Sequence, residues 1–212
     1  MKLWLYFAVG FAVVVLGEVS VALAEDVRFR VIGDTLYFNG DVPSSGSDEI
    51  GMARSDASEL GAYIMEQPDI ETVDLRSAGG STEAGLRMAA SIKRFGLKTT
   101  VTSRCYSACT FAFLGGAERS LQPGGILGFH RTKTSSEGYR FLVRGGIYGL
   151  RVDDVAVFAF DRGINAAVED ARFFSSRGLS TDFILKVLAT PPREMWVPSR
   201  EELFAAGVLN VR

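Results

Sequence analysis

The sequence is poor in metal-binding residues and in excess positive charge. Its 212 residues include one histidine and two cysteines. These cannot build a zinc site unaided, so we expect neither a bound metal nor a cofactor. The formal net charge is −2, and because nucleic-acid-binding proteins usually carry a basic stripe, we expect no nucleic-acid partner. The chain also lacks internal repeats and low-complexity tracts, which argues against a repeat architecture.

Apolar residues, in contrast, are plentiful. They make up 47% of the chain, which is enough for a single domain of this length to bury a full core. Strand-like and helix-like segments alternate along the sequence. This alternation predicts an α/β domain built from right-handed βαβ connections.

The first 24 residues have the pattern of a signal peptide. Lys2 provides the positive charge, residues 3–17 are apolar, and Ala22 and Ala24 fit cleavage before Glu25. We therefore expect residues 1–24 to be removed, residues 25–212 to form the domain, and the protein to reach the bacterial periplasm. The alternative is an inner-membrane anchor formed by residues 3–23, although Glu18 interrupts that apolar stretch. Only in that case do we expect contact with a membrane.

Periodicity and turn residues predict the order of the elements. A hairpin is expected over residues 27–38, turning at Gly33 and Asp34. Ser55 or Asp56 is expected to cap the first helix. The remaining predictions are strands over residues 72–75, 99–102 and 125–129, helices over 56–67, 82–95, 107–114, 165–177, 181–188 and 200–206, and a final short strand.

Residues 73–131 contain the features that suggest chemistry. A strand opens into Gly79 and Gly80, Ser107 lies where a strand gives way to a helix, and His130 follows another strand. His130 is the only histidine and lies 23 residues after Ser107. Glycine N–H groups, a serine nucleophile and a histidine base would together make a serine hydrolase site. Taken singly, the glycines also fit a tight turn, Ser107 a helix cap, and His130 a structural residue.

The order strand–Gly-Gly–helix, strand–Ser–helix, strand–His resembles the Clp protease proteolytic subunit, within the ClpP/crotonase superfamily. It is most similar to the small exported bacterial members of that superfamily. The resemblance runs from about Phe29 to the C-terminus, with a departure over residues 132–160. It implies an α/β fold of stacked ββα units in a single domain, and a serine-peptidase activity.

The resemblance also implies roles for individual residues. Ser107 would be the nucleophile and His130 its base. The N–H groups of Gly80 and Ala108 would form the oxyanion hole, with Gly79 as a neighbour able to substitute. Glu194 occupies the position at which the family usually has the aspartate that orients the histidine. Asp182 is a rival for this role, although as the second residue of a helix it also fits a charge that favours the helix dipole.

Two cysteines, Cys105 and Cys109, lie on either side of Ser107. In an exported chain, the oxidising compartment favours a disulfide between them. The alternative is two buried free thiols beside a tight helix start, because a separation of four residues strains the geometry of such a bridge.

These features favour an exported serine peptidase that acts on peptides or unfolded proteins. No ATP-dependent unfoldase is expected, since the chain has no P-loop and ATP is absent outside the inner membrane. The apolar residues 155–160 predict a homo-oligomer, trimeric or larger. The alternative function is a catalytically inactive binding or assembly module of the cell envelope, favoured by Glu194 and by the departing segment. An acyl-CoA enzyme of the crotonase branch is a third and weaker hypothesis for the function.

Overall fold

An antiparallel hairpin begins the domain. The computed structural model describes residues 27–44, 48, 50–133 and 152–211, without the side chains of 152–155, so the predicted signal peptide lies outside the described residues. Strand β1 (Phe29–Ile32) pairs with β2 (Thr35–Asn39) in the register Phe29↔Phe38. The turn between them has Gly33 at φ 61°. The pairing of these two strands confirms the predicted hairpin. Gly33 suits the turn because glycine tolerates this left-handed backbone conformation.

Two sheets carry the remaining strands. The larger has the order β1-β2-β3-β4-β6, with β3 (Thr72–Arg76), β4 (Lys98–Val101) and β6 (Arg119–Leu121) joined to β2 by parallel pairing. The smaller pairs β5 (Arg104–Tyr106) with β7 (Ile126–Gly128), also in parallel. Strands β5 and β6 were not predicted from the sequence. Each has only three residues, which is too short to show a clear alternation of apolar and polar positions.

Six helices are described. They are α1 (Arg54–Glu66), α2 (Thr82–Arg94), α3 (Ala108–Phe113), α4 (Val152–Ser176), α5 (Thr181–Ala189) and α6 (Arg200–Ala205). The Ser180 hydroxyl caps α5 by accepting the Phe183 N–H, as the sequence predicts. The predicted final strand does not form among the described residues. Instead, the Asn210 and Val211 N–H groups both donate to the Arg119 carbonyl.

The cap predicted for α1 is wrong. The N-cap is Ala53, and the Asp56 carboxylate accepts the Ala53 N–H at 2.7 Å. Asp56 also forms a buried ion pair with Arg28, with Nε–Oδ1 at 2.6 Å. The same guanidinium donates to the Gly51 carbonyl at 2.6 Å. Asp56 therefore lies inside the first turn of α1, where its carboxylate can reach the buried guanidinium of Arg28.

The core lies between the large sheet and the helices. Its largest fully buried side chains include Phe38, Leu75, Met88, Ile92 and Phe113. Helices α2 and α3 approach closely at Gly85, where an added Cβ would lie 2.2 Å from the Ala108 carbonyl oxygen. This contact holds the start of α3, directly after Ser107, against the layer that contains Met88 and Ile92. The domain is therefore a single mixed α/β unit, as predicted.

Helix α4 is longer than predicted. The expected helix over residues 165–177 begins at Val152 and includes the apolar stretch 155–160. Its C-terminal end packs on the core, where the Phe174 ring lies 5.1 Å from that of Phe111. In contrast, no residue from 156 to 169 is buried. The apolar stretch is therefore not an internal core strand, which was the alternative to a subunit contact.

Candidate active site

Ser107 occupies a sharp turn between β5 and α3. Its backbone has φ 54° and ψ −122°, and it is the only non-glycine residue with positive φ in the described part of the chain. Such a conformation costs about 1–3 kcal/mol and persists only where the surroundings enforce it. The Ser107 N–H donates to the Gly128 carbonyl at 2.9 Å, and its carbonyl accepts the Thr110 N–H at 2.9 Å. A serine in a sharp turn between a strand and a helix is also the arrangement of the nucleophile elbow of α/β-hydrolases.

The Gly79–Gly80 loop packs directly against this turn. Gly79 has φ 110°, and a Cβ added there would lie 2.8 Å from the Ser107 Cβ. Gly80 has φ 138°, and its bridge to Met52 uses the Gly79 carbonyl and the Ser81 N–H. Gly79 is therefore required for the close approach to Ser107. Both Gly79 and Gly80 are also required for their positive φ angles, which glycine adopts without strain.

The loop leaves a backbone donor unengaged. The Gly79 N–H donates to the Ser77 hydroxyl at 3.1 Å, whereas the Gly80 N–H has no acceptor among the described residues. Ala108 is the first residue of α3, so its N–H has no acceptor within the helix. This arrangement makes Gly80 and Ala108 better candidates for the oxyanion hole than Gly79.

His130 lies two residues after β7, which pairs with β5, the strand that ends just before Ser107. Tyr106 lies opposite Gly128 in this pairing, so Ser107 and His130 emerge from the same end of two adjacent parallel strands. The His130 ring is partly exposed, and its Nδ1 lies 2.7 Å from the Arg131 carbonyl oxygen. Since a carbonyl can only accept, Nδ1 carries the proton and Nε2 is left as the free acceptor. No hydrogen bond joins this ring to the Ser107 hydroxyl among the described residues.

Glu194 is not brought to the histidine. It lies in an exposed turn closed by its own N–H on the Pro191 carbonyl, and its carboxylate makes no hydrogen bond or ion pair with the described residues. Asp182 is exposed in the first turn of α5. The structure therefore gives neither acid a contact with His130, and the role of Glu194 remains a prediction.

A different carboxylate contacts Thr132, two residues after the histidine. Asp170 of α4 is buried, and it accepts hydrogen bonds from the Thr132 N–H at 3.0 Å and the Thr132 hydroxyl at 2.9 Å. Burial raises the pKa of Asp170 above its ordinary value, while the Thr132 hydrogen bonds and the charge of His130 act in the opposite direction. The sequence contains one signal for this residue. Asp170 precedes the core residues Phe173 and Phe174 by three and four positions, so an acid occupies the buried stripe of the helix.

Cys105 and Cys109 are joined by a disulfide in the structure, with their Cα atoms 5.2 Å apart. That separation lies within the usual range for such bridges. Cys105 is the middle residue of β5, before the Ser107 turn, and Cys109 is the second residue of α3, after it. The bridge therefore spans the strained residue. Whether it forms in the cell remains a prediction, because it depends on export.

Neither a metal site nor a membrane span is evident in the described part of the chain. No cluster of three or more histidine, cysteine, aspartate or glutamate residues there could hold a metal ion. None of the helices described combines the length and apolar character needed to cross a bilayer.

Sequence comparisons find no relative. No protein-family profile matches the chain, and no curated protein sequence matches it. Solved structures do match. The ClpP1 N165D mutant from Listeria monocytogenes superposes with a TM-score of 0.56 at 17% identity, covering 84% of this chain and 89% of that one. ClpP1 from Listeria monocytogenes superposes with a TM-score of 0.55 at 18% identity, and again 84% of this chain and 89% of that one are covered. The chain therefore has a ClpP-like fold.

Proposed function

We propose that this protein is an exported serine peptidase. The observation that carries the proposal is the positive φ of Ser107, held against Gly79 at the start of a helix. A strained serine of this kind, surrounded by unengaged N–H groups, is typical of a nucleophile rather than of an ordinary helix cap. The ClpP-like fold supports the same activity, because the serine, the glycine pair and the histidine follow the order of that peptidase.

The geometry supports acyl transfer in two steps. The Ser107 hydroxyl attacks the peptide carbonyl while His130 Nε2 accepts its proton, and the Gly80 and Ala108 N–H groups hold the oxyanion. The intermediate then collapses, His130 protonates the departing amine, and an acyl-serine ester remains. Water, deprotonated by the same imidazole, hydrolyses that ester and restores the serine. The sulfur atoms of the disulfide take no part in this scheme.

The substrate is proposed to be a peptide or an unfolded protein. One side of the Gly79–Ser81 segment already pairs with Met52. In an extended segment successive backbone groups alternate in direction, so the Gly80 N–H points to the opposite side. An extended peptide can add there as a strand, with main-chain hydrogen bonds placing its carbonyl over Ser107. No ATP-dependent unfoldase is part of this proposal.

Self-association and export belong to the same proposal. The part of α4 that projects from the core exposes Val157, Phe160, Ile164 and Val168, which are spaced three or four residues apart and so share one face. An apolar face of this kind is suited to contact with other copies of the chain. The signal-peptide pattern of residues 1–24 supports a periplasmic location, with an anchor over residues 3–23 as the alternative.

A catalytically inactive module is the second candidate. It is favoured by the exposed, unpaired Glu194 and by the missing hydrogen bond between Ser107 and His130. The second observation carries little weight, because catalytic hydrogen bonds are often long before substrate binds.

A fluorophosphonate probe separates the two candidates. We expect the purified chain from Glu25 onward to be labelled covalently, and the Ser107→Ala variant to lose all labelling. Ser175→Ala is the matched control, since Ser175 is an exposed serine of α4 and should not affect labelling. An unlabelled, folded wild-type protein would rule out the peptidase and favour the inactive module.

A further inference from the structure

We propose that Asp170 replaces Glu194 as the acid of the site, acting as a positioning residue for His130. In this arrangement the Arg131 carbonyl accepts a hydrogen bond from His130 Nδ1. The Asp170 carboxylate supplies the negative charge that stabilises the protonated His130 ring. The inference rests on the proposed peptidase function. It concerns Thr132, at the start of the departing segment 132–160, and Asp170, which lies in the part of α4 beyond that segment.

The Asp170 carboxylate is fixed in place from both of its oxygens. Oδ2 accepts the Thr132 N–H at 3.0 Å and Oδ1 accepts the Thr132 hydroxyl at 2.9 Å. The residue is 4% exposed. Burying a carboxylate without a partner cation is costly, and the two Thr132 hydrogen bonds offset only part of that cost. Among the described residues, no lysine or arginine forms an ion pair with it.

The backbone places His130 and Thr132 on the same side. The Phe129 N–H donates to the Trp196 carbonyl at 2.8 Å, and the Arg131 N–H donates to the Thr190 carbonyl at 3.1 Å. Alternate N–H groups that point to one side mark an extended chain, in which residues two apart share a face. We therefore infer that His130 lies on the same face as Thr132, whose hydroxyl donates to Asp170 of α4.

The electrostatics agree with this placement. The positive charge of His130 lowers the pKa of Asp170, although burial outweighs it and the net direction is upward. Interaction between two charges is reciprocal, so removing the Asp170 charge directly tests the coupling between the two groups. The other charge that acts on Asp170 is Glu169, its neighbour on α4, which raises the pKa of Asp170. Glu194 has no comparable link to either residue.

The single histidine allows a direct test by NMR. The His130 Hε1 signal is followed against pH in the folded chain from Glu25 onward. We expect Asp170→Asn to lower the titration midpoint of His130 by about half a pH unit or more, because a nearby negative charge is removed. Glu169→Gln, which removes a charge from an exposed neighbour on the same helix, should lower the midpoint by less. Glu194→Gln should leave it unchanged.

Kinetics provide the second readout. In Asp170→Asn the acid limb of the kcat/KM profile should move to lower pH with the His130 midpoint, and kcat/KM should fall on the order of tenfold or more. Asp170→Glu retains the charge and should recover most of the NMR midpoint. If Asp170 had a purely structural role, Asp170→Asn would lower the stability of the protein without moving the His130 midpoint or the acid limb of the kcat/KM profile.

A wild-type measurement covers the case in which Asp170→Asn does not fold. The His130 signal should then show a second, smaller inflection at acid pH, where Asp170 takes up its proton. A wild-type His130 curve that fits a single titrating group would overturn the proposal. So would a His130 midpoint that moves in Glu194→Gln but not in Asp170→Asn. If Ser107→Ala keeps its probe labelling while the NMR coupling is present, the peptidase proposal fails and the Asp170–His130 link stands.

Discussion

Ser107 and His130 are expected to act as one unit. Removing either member of a nucleophile–base pair leaves only the oxyanion hole and substrate binding. We therefore expect Ser107→Ala and His130→Ala each to lower kcat on a peptide substrate on the order of 10⁴-fold. The double variant should be little worse than either single variant. Near-wild-type activity in both folded single variants would contradict the assignment.

Gly79 tests whether the glycine loop supports Ser107 directly. An alanine there would combine the strain of φ 110° with a Cβ 2.8 Å from that of Ser107. Because small displacements of a nucleophile are costly, we expect Gly79→Ala to slow probe labelling about a hundredfold. Gly33→Ala is the matched control. It also has positive φ but nothing within 4 Å of the added Cβ, so it should cost about 1–2 kcal/mol of stability and leave labelling intact.

At the scale of the elements, the disulfide joins β5 to α3 across the serine turn. If the protein is exported, protein purified without reductant should be lighter than its reduced form by the mass of two hydrogen atoms. Cys105→Ala/Cys109→Ala should lower the free energy of unfolding by about 2 kcal/mol, as expected for so short a loop. Two thiols that react with alkylating agents in native and denatured protein alike would contradict the bridge.

Helix α4 has two parts with different roles. Its last turns pack on the core through Phe174 and hold Asp170 against Thr132. Its earlier turns, residues 156–169, bury no side chain within this chain. One helix therefore joins the candidate active site to the apolar face proposed for self-association, so assembly could affect the position of Asp170.

For the whole molecule, the exposed face of α4 predicts a homo-oligomer, trimeric or larger. Phe160 is 68% exposed, so Phe160→Asp should not disturb the folded subunit. Within a contact between copies, however, it would bury an unpaired charge. We expect analytical ultracentrifugation to show the assembled mass for wild type and the monomer mass for Phe160→Asp.

Met65→Asp is the control for this experiment. Met65 is 70% exposed on α1, away from α4, and its replacement should leave the assembly intact. A wild-type protein that is monomeric and equally active at high dilution would contradict the proposal.

Local sequence patterns were sufficient for much of the fold. The hairpin turn at Gly33, the serine cap of α5 and the order of strands and helices all depend on residues close together in the chain. Turn geometry and capping are local interactions, so single residues report them reliably. The glycine pair, Ser107 and His130 were chosen as candidate site residues in the same way, because their order along the chain follows a recognisable strand–turn pattern.

Long-range contacts decided the rest. Asp56 lies within α1 because it pairs with Arg28, 28 residues away. Strands β5 and β6 exist because neighbouring strands supply their hydrogen-bond partners. Asp170 reaches the segment after His130 only because α4 folds back across 38 residues to Thr132. The sequence by itself determined which residues could do chemistry and the α/β class. The tertiary structure decided which acid contacts the segment after the histidine, because burial and proximity arise only when distant segments pack together.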